Sequence, residues 1–169
     1  MSHSGGDDQN PVVVIPVYNP GSVLARLVHE ILESPLFHGV IIVNDGSQAG
    51  HEVLFRELEE DERTHILDHA CNLGKGAALK NGFRFALCRF PNSVGVVTAD
   101  ADGQHDPRDV LKIGRALTQN PDGFILGVRT FDDRVPLKNR TGNLLCRGAF
   151  RLATGRWLKD VQSGLRGIP

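Results

Sequence analysis

The chain has 169 residues and a formal net charge of -1, with 40% hydrophobic and 23% charged residues. This composition is typical of one globular domain with a sizeable core, so it excludes a disordered chain and gives no reason to expect a nucleic-acid partner. The three scattered cysteines exclude a disulfide scaffold, and no apolar run approaches the roughly 18 residues of a membrane span. We therefore expect a cytoplasmic protein.

The chain begins with ten polar residues rich in Gly and Asp, which we expect to form a flexible N-terminal arm before a single domain over residues 11–169. Four short apolar runs follow, each ending at a polar residue or a proline. Such runs are typical of strands buried on both faces of a parallel sheet. They are Val12–Ile15, Val40–Val43, Val94–Val97 and Phe124–Gly127.

Between these runs, apolar residues recur at the spacing of amphipathic helices. Alternating strands and helices predict an open, mostly parallel α/β sheet with helices on its faces. The predicted helices span residues 23–32, 52–60, 75–90, 109–117 and 144–152. The third is expected to bury one stripe, formed by Leu79, Phe83, Ala86 and Phe90.

In open α/β sheets, ligands bind outside the carboxyl ends of the strands. The polar segments that follow the apolar runs should therefore meet at one cleft. These segments are residues 16–19, 44–47 and 100–102, together with Arg129. Their carboxylates, amides and arginine suit a charged ligand held partly through a metal ion.

Asp100 and Asp102 follow a buried run directly, within the sequence Asp-Ala-Asp-Gly-Gln-His. Two carboxylates spaced in this way can face the same side and leave most of an octahedral shell open, which suits Mg²⁺ or Mn²⁺ shared with a diphosphate. A solvated acidic turn is the alternative. His105 is interpreted as a surface residue in preference to a group behind the metal site.

Two further segments have a functional and a structural interpretation. Asp45, within Asn44–Ser47, could accept a hydrogen bond from a nucleotide base; the alternative is a turn in which Ser47 caps a helix. Asn72–Gly76 opens a helix with a lysine, Lys75, and could bind a phosphate; the alternative is a glycine-rich helix start.

Two other patterns give weaker indications. Asp160–Arg166 combines an acid, an amide, a hydroxyl and a base, and a polar turn explains it equally. His65 and His69 would lie roughly 13 Å apart on a strand, which is too far to share one metal ion.

Taken in order, six segments resemble the inverting family 2 glycosyltransferases of the GT-A fold. The likeness is strongest to the dolichol/polyprenyl-phosphate mannose or glucose synthase branch, through Asp-Ala-Asp-Gly-Gln, Asn-Leu-Gly-Lys-Gly and Ser-Gly-Leu-Arg. The segments are Val14–Asn19, Asn44–Ser47, Asn72–Gly76, Asp100–Gln104, Gly127–Arg129 and Asp160–Arg166.

The resemblance implies a Rossmann-like GT-A sheet and transfer of a sugar, with inversion, from a GDP- or UDP-linked donor. The implied acceptor is a polyprenyl phosphate at a membrane surface, and the implied cofactor is Mg²⁺ or Mn²⁺. The implied donor-binding residues are Pro16, Tyr18, Val43, Asp45, Lys75, Asp100, Ala101 and Arg129. The implied metal ligands are Asp102 and Gln104 beside Asp100, the catalytic groups are Asp160 and Arg129, and the acceptor-binding residues are Arg140, Gln162 and Ser163.

The chain departs from the family pattern in two places near the presumed base pocket. Pro20 stands where an acidic residue is common, and Asn44 replaces the first acid of Asp-Asp-Gly-Ser. The resembling enzymes also continue past Ser-Gly-Leu-Arg, so we expect a domain truncated on its C-terminal side. The alternatives are a nucleotide-sugar-binding module without turnover and a nucleotidyltransferase; the latter usually has a Gly-rich basic loop where this chain has residues 18–21.

Overall fold

A computed structural model describes residues 9–103, 105–127 and 164–169. The strands in these residues are β1 Val12–Val17, β2 Val40–Asn44, β3 Thr64–Asp68, β4 Val96–Thr98, β5 Ile125–Leu126 and β6 Arg166–Ile168. They form one sheet in the order β3-β2-β1-β4-β6-β5. The first four strands are parallel, whereas β6 is antiparallel to both β4 and β5.

The two central strands form the centre of the core. All residues of Val12–Ile15 and Val40–Val43 have 0% exposure. The odd-numbered residues of β1 and the even-numbered residues of β2 enter one apolar cluster, and their neighbours enter a second cluster. Because successive side chains of a strand point to opposite faces, both faces of the sheet are covered. The predicted open, mostly parallel α/β sheet is confirmed.

The four helices in the described residues are α1 Val23–Leu32, α2 Glu52–Glu59, α3 Lys75–Arg89 and α4 Pro107–Gln119. The first matches its predicted bounds, and the next two end one residue early. The fourth begins two residues before its prediction because the Asp106 carboxylate accepts a 2.8 Å hydrogen bond from the Arg108 N–H, and Pro107 suits the first helical position. Local capping chemistry therefore sets this boundary.

Small residues bring α3 close to the sheet. Ala78, Gly82 and Ala86 are its buried positions, and a Cβ on Gly82 would lie 2.5 Å from Cγ1 of Val14. Only a glycine at this position allows so close an approach between the helix and β1. The larger members of the predicted stripe are half-buried: Leu79, Phe83 and Phe90.

Two strands were not predicted as part of the sheet. β3 is an edge strand whose polar residues hide the apolar signal, and β6 reaches the sheet from the far end of the chain. The predicted helix over residues 144–152 and the first eight residues of the expected arm lie outside the described residues. Gln9 and Asn10, the last residues of that arm, are hydrogen-bonded to Val94 and Pro35. In the described part of the chain, no helix has the length and apolar character to cross a membrane.

Candidate functional site

A pocket of about 310 Å³ opens at the carboxyl ends of β1 and β4. Six of the residues predicted for the site line it together, as expected for side chains that follow neighbouring parallel strands. These six are Pro16, Tyr18, Lys75, Asp100, Ala101 and Asp102. The lining also contains Asn19, Pro20 and Gly21.

Asp100 is held on several sides. The Lys75 ammonium forms an ion pair with its Oδ1 atom, and Nε2 of His105 lies 3.5 Å from its Oδ2 atom. The side chain of Asp100 is 23% exposed. Burial acts to raise the pKa of Asp100, but His105 and Lys75 outweigh burial and hold the pKa at about 2. The carboxylate is therefore ionised throughout the neutral and mildly acidic range.

This lowered pKa predicts a contribution of Asp100 to stability that disappears in acid. A depressed carboxyl pKa stabilises the fold above the unfolded value of 3.8, and the stabilisation is lost as the pH falls towards 2. Asp100→Asn should therefore lower the free energy of unfolding by about 2 kcal/mol at pH 7 and by much less near pH 2. Urea denaturation across this pH range measures the difference.

The exposed carboxylate of Asp122 provides the control for this experiment. Asp122→Asn should follow the wild-type curve at every pH, since surface substitutions usually have small effects. A constant gap between wild type and Asp100→Asn from pH 7 to pH 2 would contradict the ionic explanation.

Asp45 directly follows β2, does not line the pocket and is only 3% exposed. Its two oxygens accept hydrogen bonds from the backbone N–H groups of Leu73 at 2.9 Å and Gly74 at 2.8 Å. Nδ1 of His69 lies 2.7 Å from Oδ1. Burial acts to raise the pKa of Asp45, but these hydrogen bonds outweigh burial and lower it. The carboxylate thus anchors the loop before α3, and contact with a base stays a prediction.

His69 continues this buried network. The Asn81 amide lies 2.8 Å from Nε2 of His69 and can donate to it, which leaves Nδ1 of the ring to donate to Asp45. The sequence analysis considered His69 only as half of a metal pair. His65, the other half, contacts the rings of Phe85 and Phe90. The missed signal was the position of His69 directly after a strand end, beside the predicted site.

The turn after β2 corrects one expectation. The backbone N–H of Ser47 donates to Oδ1 of Asn44 at 3.0 Å, which supports the turn interpretation. Ser47 does not cap a helix, because its hydroxyl accepts from the N–H of Asn19 and α2 begins at Glu52, after His51. Gly46 has a φ of 69°, and a Cβ there would lie 2.4 Å from the backbone of Cys71, in the loop between β3 and α3. A glycine is therefore required for the two loops to pack together.

The loop over residues 72–76 begins a helix, as predicted. Gly74 is the residue before the first turn of α3, with a φ of 89°, and Lys75 is the first helical residue. The side chain of Lys75 is 53% exposed and reaches the pocket. Backbone N–H groups at a helix start and a lysine together favour a phosphate group at this wall of the pocket.

The donor set fits a hard divalent cation, since the Asp100 and Asp102 carboxylates line one pocket. Among the described residues, no three His, Cys, Asp or Glu side chains are grouped so that they could hold a metal ion by themselves. The predicted third ligand, Gln104, lies outside the described residues. An open site with two carboxylates is the kind of site in which Mg²⁺ keeps water and phosphate ligands.

Of the remaining predicted site residues, the structure describes only Val43, and it does not line the pocket. Val43 is fully buried in the second apolar cluster, beneath α3. The others lie outside the residues that the structure describes: Arg129, Arg140, Asp160, Gln162 and Ser163. One residue that borders the undescribed segment does reach the site: Gly164 packs on Asp100, and its carbonyl accepts a 2.7 Å hydrogen bond from the Thr98 hydroxyl.

Comparisons with known proteins identify relatives across almost the whole chain. A family profile described as Glycosyl transferase family 2 matches residues 12–164. The polyprenol monophosphomannose synthase of Mycolicibacterium smegmatis is 30% identical over 168 residues, which cover 94% of this chain and 61% of that protein. The UDP-N-acetylglucosamine–dolichyl-phosphate N-acetylglucosaminyltransferase of Methanococcus voltae is 29% identical over 176 residues, which cover 92% of this chain and 68% of that protein. The chain therefore spans about two thirds of the length of these curated relatives.

A solved structure shows the same fold. Glucosyl-3-phosphoglycerate synthase from Mycobacterium tuberculosis, in complex with Mn²⁺, UDP and glucosyl-3-phosphoglycerate, superposes with a TM-score of 0.64 at 17% identity. The match covers 94% of this chain and 56% of that one. The likeness confirms the predicted GT-A fold.

Proposed function

Because the chain belongs to glycosyl transferase family 2, we propose that it transfers a sugar, with inversion, from a nucleoside-diphosphate donor to a polyprenyl phosphate. The donor is GDP- or UDP-linked, and the cofactor is Mg²⁺ or Mn²⁺. The acceptor class follows the relatives, whose names refer to dolichyl phosphate and polyprenol monophosphomannose. Such an acceptor would bring the protein to a membrane surface.

The observation that carries this proposal is the shared lining of one pocket by two carboxylates and a lysine. Asp100, Asp102 and Gln104 would hold the cation, and Asp100 and Ala101 would also meet the ribose. A divalent cation bound there would supply a Lewis acid for the leaving diphosphate. Lys75 would add positive charge at the helix start, on the same wall of the pocket.

The side of the pocket formed by the end of β1 would receive the nucleoside. Tyr18 is 48% exposed, and Pro16 lies beside it in the lining. An exposed ring and a proline offer a flat apolar surface to a base and ribose. Asp45 would support the adjoining wall, because it anchors the loop that leads to Lys75.

The acceptor side of the reaction belongs to residues outside the described part of the chain. A phosphate monoester has a second pKa of roughly 6, so a polyprenyl phosphate is an anion at neutral pH and needs no base. Its oxygen would attack the anomeric carbon as the bond to the diphosphate breaks, and the nucleoside diphosphate would leave with the electron pair. Asp160 would position the acceptor, Arg129 would contact phosphate, and acceptor binding would fall to Arg140, Gln162 and Ser163.

A binding panel joined to a turnover assay tests the proposal. UDP, GDP and their sugars, each with Mn²⁺, should raise the melting temperature selectively, because a ligand at 100 times its Kd stabilises the native state by about 2.7 kcal/mol. Radiolabelled donor and a short-chain polyprenyl phosphate in detergent then measure sugar transfer. Stabilisation without transfer would indicate a binding module, and no stabilisation by any nucleotide would contradict the proposal.

A further inference from the structure

His105 has a polar atom that nothing in the proposed function uses. Its side chain is only 4% exposed, although the sequence favoured a surface histidine. Among the described residues, its Nε2 atom makes no hydrogen bond. Leaving a buried polar atom without a partner costs free energy, so the position of this ring calls for a specific explanation.

The ring lies beside Asp100 but does not itself line the pocket. Nε2 lies 3.5 Å from Oδ2 of Asp100, which is slightly too long for a good hydrogen bond. His105 stands directly before Asp106, the capping residue of α4, so a helix start fixes the backbone that carries the ring. The start of α4 therefore positions the imidazole beside Asp100.

Asp100 has little room to turn away from His105. Lys75 occupies its Oδ1 atom, and Gly164 is so close that a Cβ on that glycine would lie 2.1 Å from Oδ2. The hydrogen bond from the Thr98 hydroxyl to the Gly164 carbonyl holds the glycine in place. A small movement of the carboxylate towards Nε2 is the available way to give the imidazole a partner.

We propose that His105 is a positioning residue that holds the Asp100 carboxylate from behind, so that Asp100 and Asp102 face one divalent cation together. This inference rests on the proposed function, since it concerns the metal site of that function. The imidazole donates an Nε2–H to Oδ2, and the ring does not contact the cation. Residues that orient carboxylates and imidazoles around metal ions have this arrangement in many proteins.

Mn²⁺ binding, measured by the electron paramagnetic resonance signal of the free ion, tests the inference without an activity assay. The full chain is titrated with Mn²⁺ alone and with UDP or GDP present. His105→Leu should weaken Mn²⁺ binding about 10- to 100-fold, the usual loss when a residue supporting a metal ligand is removed. His105→Gln, whose amide can donate to Asp100, should recover most of this loss.

Two comparisons separate positioning from general stability. In an Asp100→Asn background, His105→Leu should change the Mn²⁺ affinity less than twofold, because the group on which His105 acts has been altered. His65→Leu removes a histidine that packs on Phe85 and Phe90 outside the pocket lining. It should leave Mn²⁺ binding unchanged even if it lowers the melting temperature.

The outcomes distinguish the inference from the proposed function. Wild-type affinity in His105→Leu would overturn the inference and leave the proposed function intact. Equal losses in His105→Leu and His105→Gln would also overturn it, because packing alone would then explain the residue. If wild type bound no Mn²⁺ with either nucleotide, the metal-dependent function would fail and the inference would fail with it.

Discussion

Asp102→Ala should reduce metal-dependent sugar transfer about 100-fold or more. The side chain lies on the pocket lining beside Asp100, and the residue belongs to the motif in which both carboxylates follow β4. Lewis-acid stabilisation of a leaving diphosphate is worth several kcal/mol, and each 1.36 kcal/mol corresponds to a tenfold change in rate. Initial rates at several Mn²⁺ concentrations, with a polyprenyl-phosphate acceptor, measure the effect.

A surface aspartate on α4 provides the matched control. Asp109 is about half exposed and pairs with Lys112 at 2.7 Å. Asp109→Ala should change turnover less than twofold, since exposed ion pairs contribute little. Undiminished metal-dependent turnover in Asp102→Ala would remove this residue from the metal site, whatever the fold.

Asp45→Ala should lower the free energy of unfolding by about 3 kcal/mol, since removing a buried ionised acceptor leaves its hydrogen-bond donors unsatisfied. The substitution removes the acceptor for the backbone N–H groups of Leu73 and Gly74 and the partner of His69. Urea denaturation at pH 7 measures the loss. Because the pKa of Asp45 is lowered in the fold, the gap to wild type should narrow as the pH falls below the ordinary value of 3.8.

The neighbouring edge of the sheet offers a control for Asp45. Asp68 is exposed at the end of β3 and accepts one hydrogen bond, of 2.7 Å, from the Asn44 amide. Asp68→Ala should cost less than about 1 kcal/mol, because this hydrogen bond is open to solvent. A loss of similar size in both variants would show that the buried network around Asp45 contributes no more to the free energy of unfolding than one exposed hydrogen bond does.

The sequence predicted the centre of the fold well, for a physical reason. Continuous runs of Val and Ile, such as Val40–Val43, have no polar face and are stable only where both faces of a strand are covered. β3 mixes Thr, His and Asp with two apolar residues, as an edge strand with one solvated side can. β6 is three residues long, and its partners lie far away in the chain, so no local pattern marks it.

The candidate site was predicted in part. The rule that parallel strands end at one edge correctly placed Tyr18 beside Asp100 and Asp102, and the family predicted from the six motifs is confirmed. The same rule did not predict that the Asp45 side chain is buried. Asp45 accepts hydrogen bonds from two backbone N–H groups of a loop 28 and 29 residues further along the chain. The expectation that His105 lies on the surface was wrong for the same reason. Its burial depends on contacts across the fold and not on its neighbours in sequence.

The position of β6 has a consequence for synthesis on the ribosome. β6 lies between β4 and β5, although its residues, Arg166–Ile168, come after those of both neighbours. Until these residues leave the exit tunnel, a nascent chain has β4 with an open edge, and β5 lacks the strand with which it pairs. Gly164, which packs on Asp100, emerges just before this strand. The sheet and its acidic pocket are therefore completed together, only after these residues have emerged, and an open strand edge must be protected from aggregation until then.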